Sequence, residues 1–247
     1  LSLIAFILTS CNLLSEKTVS QIGPPWGYVF KDWNGPPIDV ITYIPPNATA
    51  ETQILIVIPG ASRDAQRFHG SWLDLAKKRQ FSVVTIGAKK EYFPDEYSYN
   101  AGGLLKENGK SVQEDRWLFS AIEPIFVDFK KRYGFQTKKF YLFGHSAGGG
   151  FVHRYLLFKP MAPVMRAVAA NPAFVTLPND SIPYPFGLKY SPMLNKELGS
   201  WLTKKMAIVS FSMNRFYQGD WIDSMASRFI DELPEKNLEK NSFFDEE

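Results

Sequence analysis

Histidine and cysteine are scarce in this chain of 247 residues, which holds three histidines (His69, His145, His153) and a single cysteine, Cys11. One cysteine can form no intrachain disulfide, and no Cys pair exists to build a zinc site. Asp64, His69 and Asp74 lack metal-ligand spacing, so no metal or cofactor is expected. No apolar run reaches the ~18 residues of a membrane-spanning helix. Lys and Arg number 28 against 25 Asp and Glu, a net charge of only +3. No basic run is longer than a few residues, so nucleic-acid binding has no electrostatic footprint. No internal repeat is visible. The hydrophobic content of 45% and charged content of 21% are those of a folded chain, and the length suits one α/β domain.

The chain opens without Met on an apolar segment, Leu1 to Leu8, followed by Thr9, Ser10 and Cys11. This looks like the hydrophobic region of a secretory signal whose first few residues are missing from the sequence as given. Leu8–Cys11 resembles the bacterial lipobox. That resemblance implies cleavage before Cys11 and lipid on Cys11, with residues 1–10 a signal remnant and 11–22 a lipidated tether. The protein would then sit on the bacterial cell envelope, at its periplasmic or extracellular face, touching the membrane through that lipid. An ordinary signal with a chance cysteine, or a buried helix start, are the alternatives.

Residues 23–231 read as one domain. Trp26 to Asn34, between two Gly-Pro-Pro triplets, reads as an edge hairpin or irregular lead-in, and Ile38–Ile44 as a strand near a sheet edge. Ile54–Ile58 is apolar on both faces, as a central parallel strand must be when helices cover both sides. Helical spacing follows over Gln66–Arg79, then a buried strand, Phe81–Ile86. Asp115–Tyr133 is a second amphipathic helix, with a break or kink expected at Pro124. Further strands are expected at Phe140–Phe143, Arg166–Ala170 and Met206–Phe211. Residues 171–201, rich in proline and aromatics, are either a cap over an apolar pocket or a surface connection. Residues 232–247 form a charged tail. Strands alternating with helices give a doubly wound, mostly parallel α/β sheet.

The richest stretch is Phe140–Gly150. An apolar strand meets Gly144-His-Ser-Ala-Gly148, and a helical run, Phe151–Phe158, follows. In that strand–turn–helix context Gly-x-Ser-x-Gly is a nucleophile elbow: the serine sits on a strained turn, and its neighbours two residues away must be nearly side-chain-free. Such a turn lifts the Ser146 hydroxyl to the sheet edge and offers the Ala147 N–H to an oxyanion. A glycine-rich turn with no chemistry is the bland alternative. Lys and Ser/Thr do not follow Gly148–Gly150 as they would in a phosphate-binding loop.

This pattern resembles the α/β-hydrolase fold, and in particular secreted bacterial polyhydroxyalkanoate depolymerases and feruloyl esterases. The residues that carry the likeness are Pro59–Ala65, Trp117–Phe119, Gly144–Gly148 with Phe151–Arg154, Ala167–Asn171 and Pro185–Leu188. They fall within Ile54–Leu188, a little over half of the chain. The resemblance implies that Ser146 attacks an ester carbonyl, of a small or polymeric substrate, and that Ala147 and Ala61 supply the oxyanion hole, with Ser62 next in line. Pro59 stands where the family often has histidine, but the donors are backbone groups. The family order is Ser, then an acid, then His. Asp220 is the candidate acid, with Asn214 and Asp223 as alternatives. All three histidines precede the expected position. His145 should point to the opposite side of the elbow from Ser146, His153 should pack under the sheet, and His69 is a conceivable substitute base. The sheet's last strand and helix are missing together with the histidine, as in a C-terminally truncated or frameshifted hydrolase. Two functions follow: a serine hydrolase of carboxylic esters, with peptidase activity open within that class, or a binding protein on a hydrolase scaffold.

Overall fold

Ile54–Ile58 (β3) is buried at all five positions, and its alternate side chains enter two different cores. Ile54, Ile56 and Ile58 pack with Phe119, Ile122, Phe126, Phe151 and Tyr155. Leu55 and Val57 pack with Ala76, Phe68 and Trp72. A strand that is apolar on both faces therefore separates two helical layers, as the period of two requires.

The computed structural model describes residues 27–192, 206–209, 214–217 and 220–223. Around β3 lie β1 (Gly27–Phe30), β2 (Ile38–Tyr43), α1 (Ala65–Arg79), β4 (Ser82–Gly87), a 3-10 turn (Glu114–Arg116), α2 (Leu118–Tyr133), β5 (Phe140–His145), α3 (Ala147–Phe158), β6 (Val164–Ala170) and β7 (Met206–Val209). The main sheet runs β1-β2-β4-β3-β5-β6-β7. β1 and β2 are antiparallel to their neighbours, and β4 through β7 are mutually parallel. The stretch at Trp26–Asn34 thus holds the edge strand, with β2 one place in. β8 (Asn214–Tyr217) and β9 (Asp220–Asp223) pair as a separate antiparallel ribbon.

α1 packs on one face of the sheet, and α2 and α3 on the other. Asp64 caps α1 by accepting from the Arg67 N–H at 3.0 Å, and Gln80 closes it in the left-handed region. α2 begins at Leu118 rather than Asp115 and runs through Pro124 unbroken. Burial of Leu118, Ile122, Ile125, Phe126 and Phe129 on one stripe outweighs the ~3 kcal/mol that an interior proline costs a helix. The signal remnant, the tether with Cys11, residues 193–201 of the proposed cap and the charged tail lie outside the described residues. So do residues 210 and 211 of the expected Met206–Phe211 strand.

Candidate functional site

β5 ends at His145 and α3 begins at Ala147, which leaves Ser146 alone between strand and helix. Its backbone has φ 58 and ψ −121, a left-handed φ that an L side chain adopts only when its surroundings fix it. Two glycines make room for this turn. A Cβ on Gly144 would lie 2.1 Å from the Gly148 carbonyl oxygen, and one on Gly148 would lie 2.2 Å from that of Ile58. The Ser146 N–H donates to the Ala170 carbonyl at 2.9 Å, and the Ser146 carbonyl accepts the first bond of α3 from Gly150 at 3.1 Å. At that helix start the Ala147 N–H finds no acceptor among the described residues, as the first N–H groups of any helix must.

The loop after β3 forms the facing wall. Gly60 comes so near the elbow that a Cβ there would lie 3.3 Å from the His145 carbonyl oxygen and 3.6 Å from the Ser146 Cβ. Its own carbonyl accepts from the Arg63 N–H at 3.0 Å, closing a tight turn with Ala61 and Ser62 at its centre. In such a turn the central N–H groups take no part in the closing bond. Those of Ala61 and Ser62 have no acceptor among the described residues. Ala61, Ser62 and Ser146 line one cavity of about 630 Å³. Phe68, Trp72 and Leu75 of α1 and Phe143 of β5 make its apolar side, with Arg67 and Ser71 beside them. Trp72 meets Phe143 edge-on at 4.8 Å between ring centroids.

The three histidines part company. His145 does not turn to the opposite side from Ser146; both line this cavity, and its ring centroid lies 6.3 Å from that of Phe68. His69 lies in a different cavity, with Arg63 and Lys89. Its Nδ1 is 3.0 Å from Thr85 Oγ1, and burial pulls its pKa down to about 4. It is therefore a neutral imidazole turned toward β4, not a base beside Ser146. His153 is buried, as expected, and its Nε2 accepts from the Thr176 N–H at 3.0 Å. Burial first, and then the neighbouring Arg154 charge, bring it to about 4 as well.

The acid candidates fall in strands: Asn214 opens β8 opposite Asp223, and Asp220 opens β9 opposite Tyr217. Their side chains lie outside the description. The described part of the proposed cap does not line the Ser146 cavity. It is fastened instead to α3 and the loop before α2. Arg154, fully buried, donates from Nε to Thr176 Oγ1 at 2.9 Å and from its Nη atoms to the carbonyls of Asn100 (3.2 Å) and Phe174 (3.5 Å). Tyr184 Oη donates to the Ala101 carbonyl at 2.6 Å. Arg154 ends the Phe151–Arg154 stretch of the family likeness, but nothing local in the sequence marks it as the centre of this network.

No protein-family model matches the chain, and no curated protein matches it. Solved structures do. Poly(aspartic acid) hydrolase-1 from Sphingomonas sp. KT-1 superposes with a TM-score of 0.71 at 36% identity, covering 77% of this chain and 70% of that one. LpqC, the poly(3-hydroxybutyrate) depolymerase from Bordetella parapertussis, gives a TM-score of 0.68 at 29% identity, covering 74% of this chain. The chain covers 62% of the length of that depolymerase. With its mostly parallel sheet, helices on both faces and relatives that are polymer hydrolases, the chain belongs to the α/β-hydrolase superfamily.

Proposed function

We propose that this chain is a serine hydrolase of carboxylic esters, with Ser146 as nucleophile. The observation that carries this reading is the meeting of a strained serine and a turn with two free N–H groups in one cavity. Ser146 Oγ would attack the ester carbonyl carbon, and the carbonyl oxygen would take up the electron pair as an oxyanion. Ala147 and Ala61 would donate to it, with Ser62 beside them. Collapse expels the alcohol, whose oxygen takes up the proton given up by the Ser146 hydroxyl, and leaves the acyl group on Ser146; water then attacks the acyl carbon, its proton returns to Ser146 Oγ, and the acid is released. The apolar wall of Phe68, Trp72 and Phe143 suits the acyl or alcohol part of such a substrate. One solved relative is named for a polyester and the other for a polyamide, so polymeric substrates of both linkages belong in the assay.

The test is labelling by a fluorophosphonate probe, with Ser146→Ala as control, followed by hydrolysis of p-nitrophenyl butyrate, poly(3-hydroxybutyrate) and poly(aspartic acid). Labelling confined to the wild type is expected, and an unlabelled wild type overturns the reading. A second reading, a binding protein on this scaffold, is favoured by the engagement of His69 and His153 away from Ser146. It predicts ester or acid binding without turnover. Leu8–Cys11 supports placement at the cell envelope through lipid on Cys11; metabolic lipid labelling that persists in Cys11→Ser would sink that placement.

A further inference from the structure

The turn that carries Ala61 and Ser62 is anchored at both ends to one distant segment. At its start, the Pro59 carbonyl accepts from Tyr99 Oη at 2.5 Å, across 40 residues of sequence. Tyr99 is 1% exposed, so this hydroxyl has no water to turn to. At the turn's end stands Arg63, whose φ of 60 places a long, charged residue in the left-handed region. That conformation is strained and persists only when other contacts fix it. Here they do. The Arg63 guanidinium lies over the Tyr99 ring, 3.5 Å from its centroid. Its Nη1 donates to the Phe93 carbonyl at 2.7 Å and its Nη2 to that of Asp95 at 3.3 Å. Tyr99 and Arg63 therefore touch each other and grip the turn from either side.

The segment they hold on to is itself fixed. Asp95 and Ser98 bond reciprocally, Ser98 N–H to Asp95 Oδ1 at 2.7 Å and Asp95 N–H to Ser98 Oγ at 3.2 Å. The Asn100 carbonyl is held by Arg154, and that of Ala101 by Tyr184. The chain of contacts runs from α3, through residues 95–101, to the turn that faces Ser146.

We infer that Arg63 and Tyr99 are positioning residues that set the oxyanion donors of the Pro59–Arg63 turn against Ser146. The inference rests on the serine-hydrolase reading for its catalytic meaning, but the clamp itself is a property of the loop. An oxyanion donor acts only if it is held at the place where charge develops, and a loop free to drift loses that advantage. Neither residue touches the reacting atoms.

Tyr99→Phe removes one hydroxyl and keeps the ring; Arg63→Lys keeps the charge and loses the planar fork and the stack. Two measurements on the full chain separate the possibilities. The first is the kinetics of fluorophosphonate labelling at Ser146, resolved into reversible affinity and the first-order step. The clamp predicts about a tenfold slower first-order step in each variant, with affinity within about twofold of wild type. A merely structural role would lower the labelled fraction and leave the rate of the remaining protein unchanged, which overturns the inference. The second is amide hydrogen exchange of the segment 59–65, which needs no chemistry at Ser146. Faster exchange there in both variants, with β3 and α3 unchanged, is expected. Wild-type exchange in Tyr99→Phe overturns the clamp, even if the wild type is not labelled and the hydrolase reading has failed on its own.

Discussion

Mild acid should destabilise this fold through its buried imidazoles, and at His153 the size of the effect can be worked out. The ring is 2% exposed, and its Nε2 lies 3.0 Å from a donor, the Thr176 N–H. A proton on Nε2 would set donor against donor, inside the protein and next to Arg154. The Thr176 carbonyl, 3.2 Å from the same nitrogen, pulls the other way without reversing the balance. Burial, then the Arg154 charge, hold the pKa at about 4, against 6.5 for an ordinary histidine. Between those values the unfolded chain carries a proton that the native ring refuses. Stability is therefore complete above the unfolded pKa and is lost as pH falls toward the folded one, by up to ~1.4 kcal/mol per pH unit. Over the whole window that comes to on the order of 3 kcal/mol, a large part of the ~5–15 kcal/mol of a typical domain. His69, lowered by burial, acts in the same direction.

The experiment compares wild type with His153→Gln by urea unfolding, followed by tryptophan fluorescence from about pH 7 to pH 4.5. Glutamine can accept from the Thr176 N–H and cannot be protonated. The variant should be the less stable protein at neutral pH, because it fits the site worse. Its stability should fall less steeply with acid, so that the two curves converge by roughly 2.5 kcal/mol over that range. Comparing the two curves cancels the carboxylates that titrate in both proteins. Parallel curves would refute the assignment of a neutral, donor-facing imidazole.

Two substitutions of glycine by alanine should have opposite signs. In Gly148→Ala the new Cβ meets the carbonyl oxygens of Ile58 at 2.2 Å and Pro59 at 2.7 Å, both backbone; α3 must then part from β3, and the expected result is loss of Ser146 labelling with a fall in melting temperature of several degrees or more, a wild-type melt counting against it. In Gly70→Ala, within α1, the Cβ meets nothing within 4 Å, so the urea midpoint should rise by the equivalent of ~0.5–1 kcal/mol; a lower midpoint would show that α1 does not tolerate the methyl group.

What could be read from the sequence was what local physics determines. The five apolar residues of β3 could only be a strand covered on both faces, and it is. The spacing of Gly144, Ser146 and Gly148 forced the turn, since at Gly144 and at Gly148 a Cβ would strike the backbone. Pro124 misled because the proline rule is local and the apolar stripe that overrides it is tertiary. The side chosen for His145 failed for a related reason. The alternation that sends neighbours to opposite faces belongs to a strand, and the chain leaves the strand between His145 and Ser146.

The support of the site was illegible for a different reason, and it shows how the Ser146 turn and the Pro59–Arg63 turn that faces it depend on each other. A strand and a helix suffice to present Ser146, so a five-residue motif can announce it. The facing N–H groups of Ala61 and Ser62 sit in a loop, and a loop has no ladder to hold it. Its carbonyls, once buried, must each find a donor. Here the donors are long side chains from far along the chain. Tyr99 reaches Pro59 across 40 residues, Arg154 reaches Asn100 across 54, and Tyr184 reaches Ala101 across 83. Each bond satisfies a carbonyl and fixes a loop at once, so the polar core at this edge of the sheet does for the loops what the apolar core does for the strands. Arg154 is buried with carbonyl and hydroxyl partners where a carboxylate would be the ordinary counterpart. Three of its N–H groups are spent on the Thr176 hydroxyl and on the Asn100 and Phe174 carbonyls, and burial lowers its pKa without removing its charge. Removing it would therefore strip donors from two loops together, and the disorder would reach Ser146's partners before it reached Ser146.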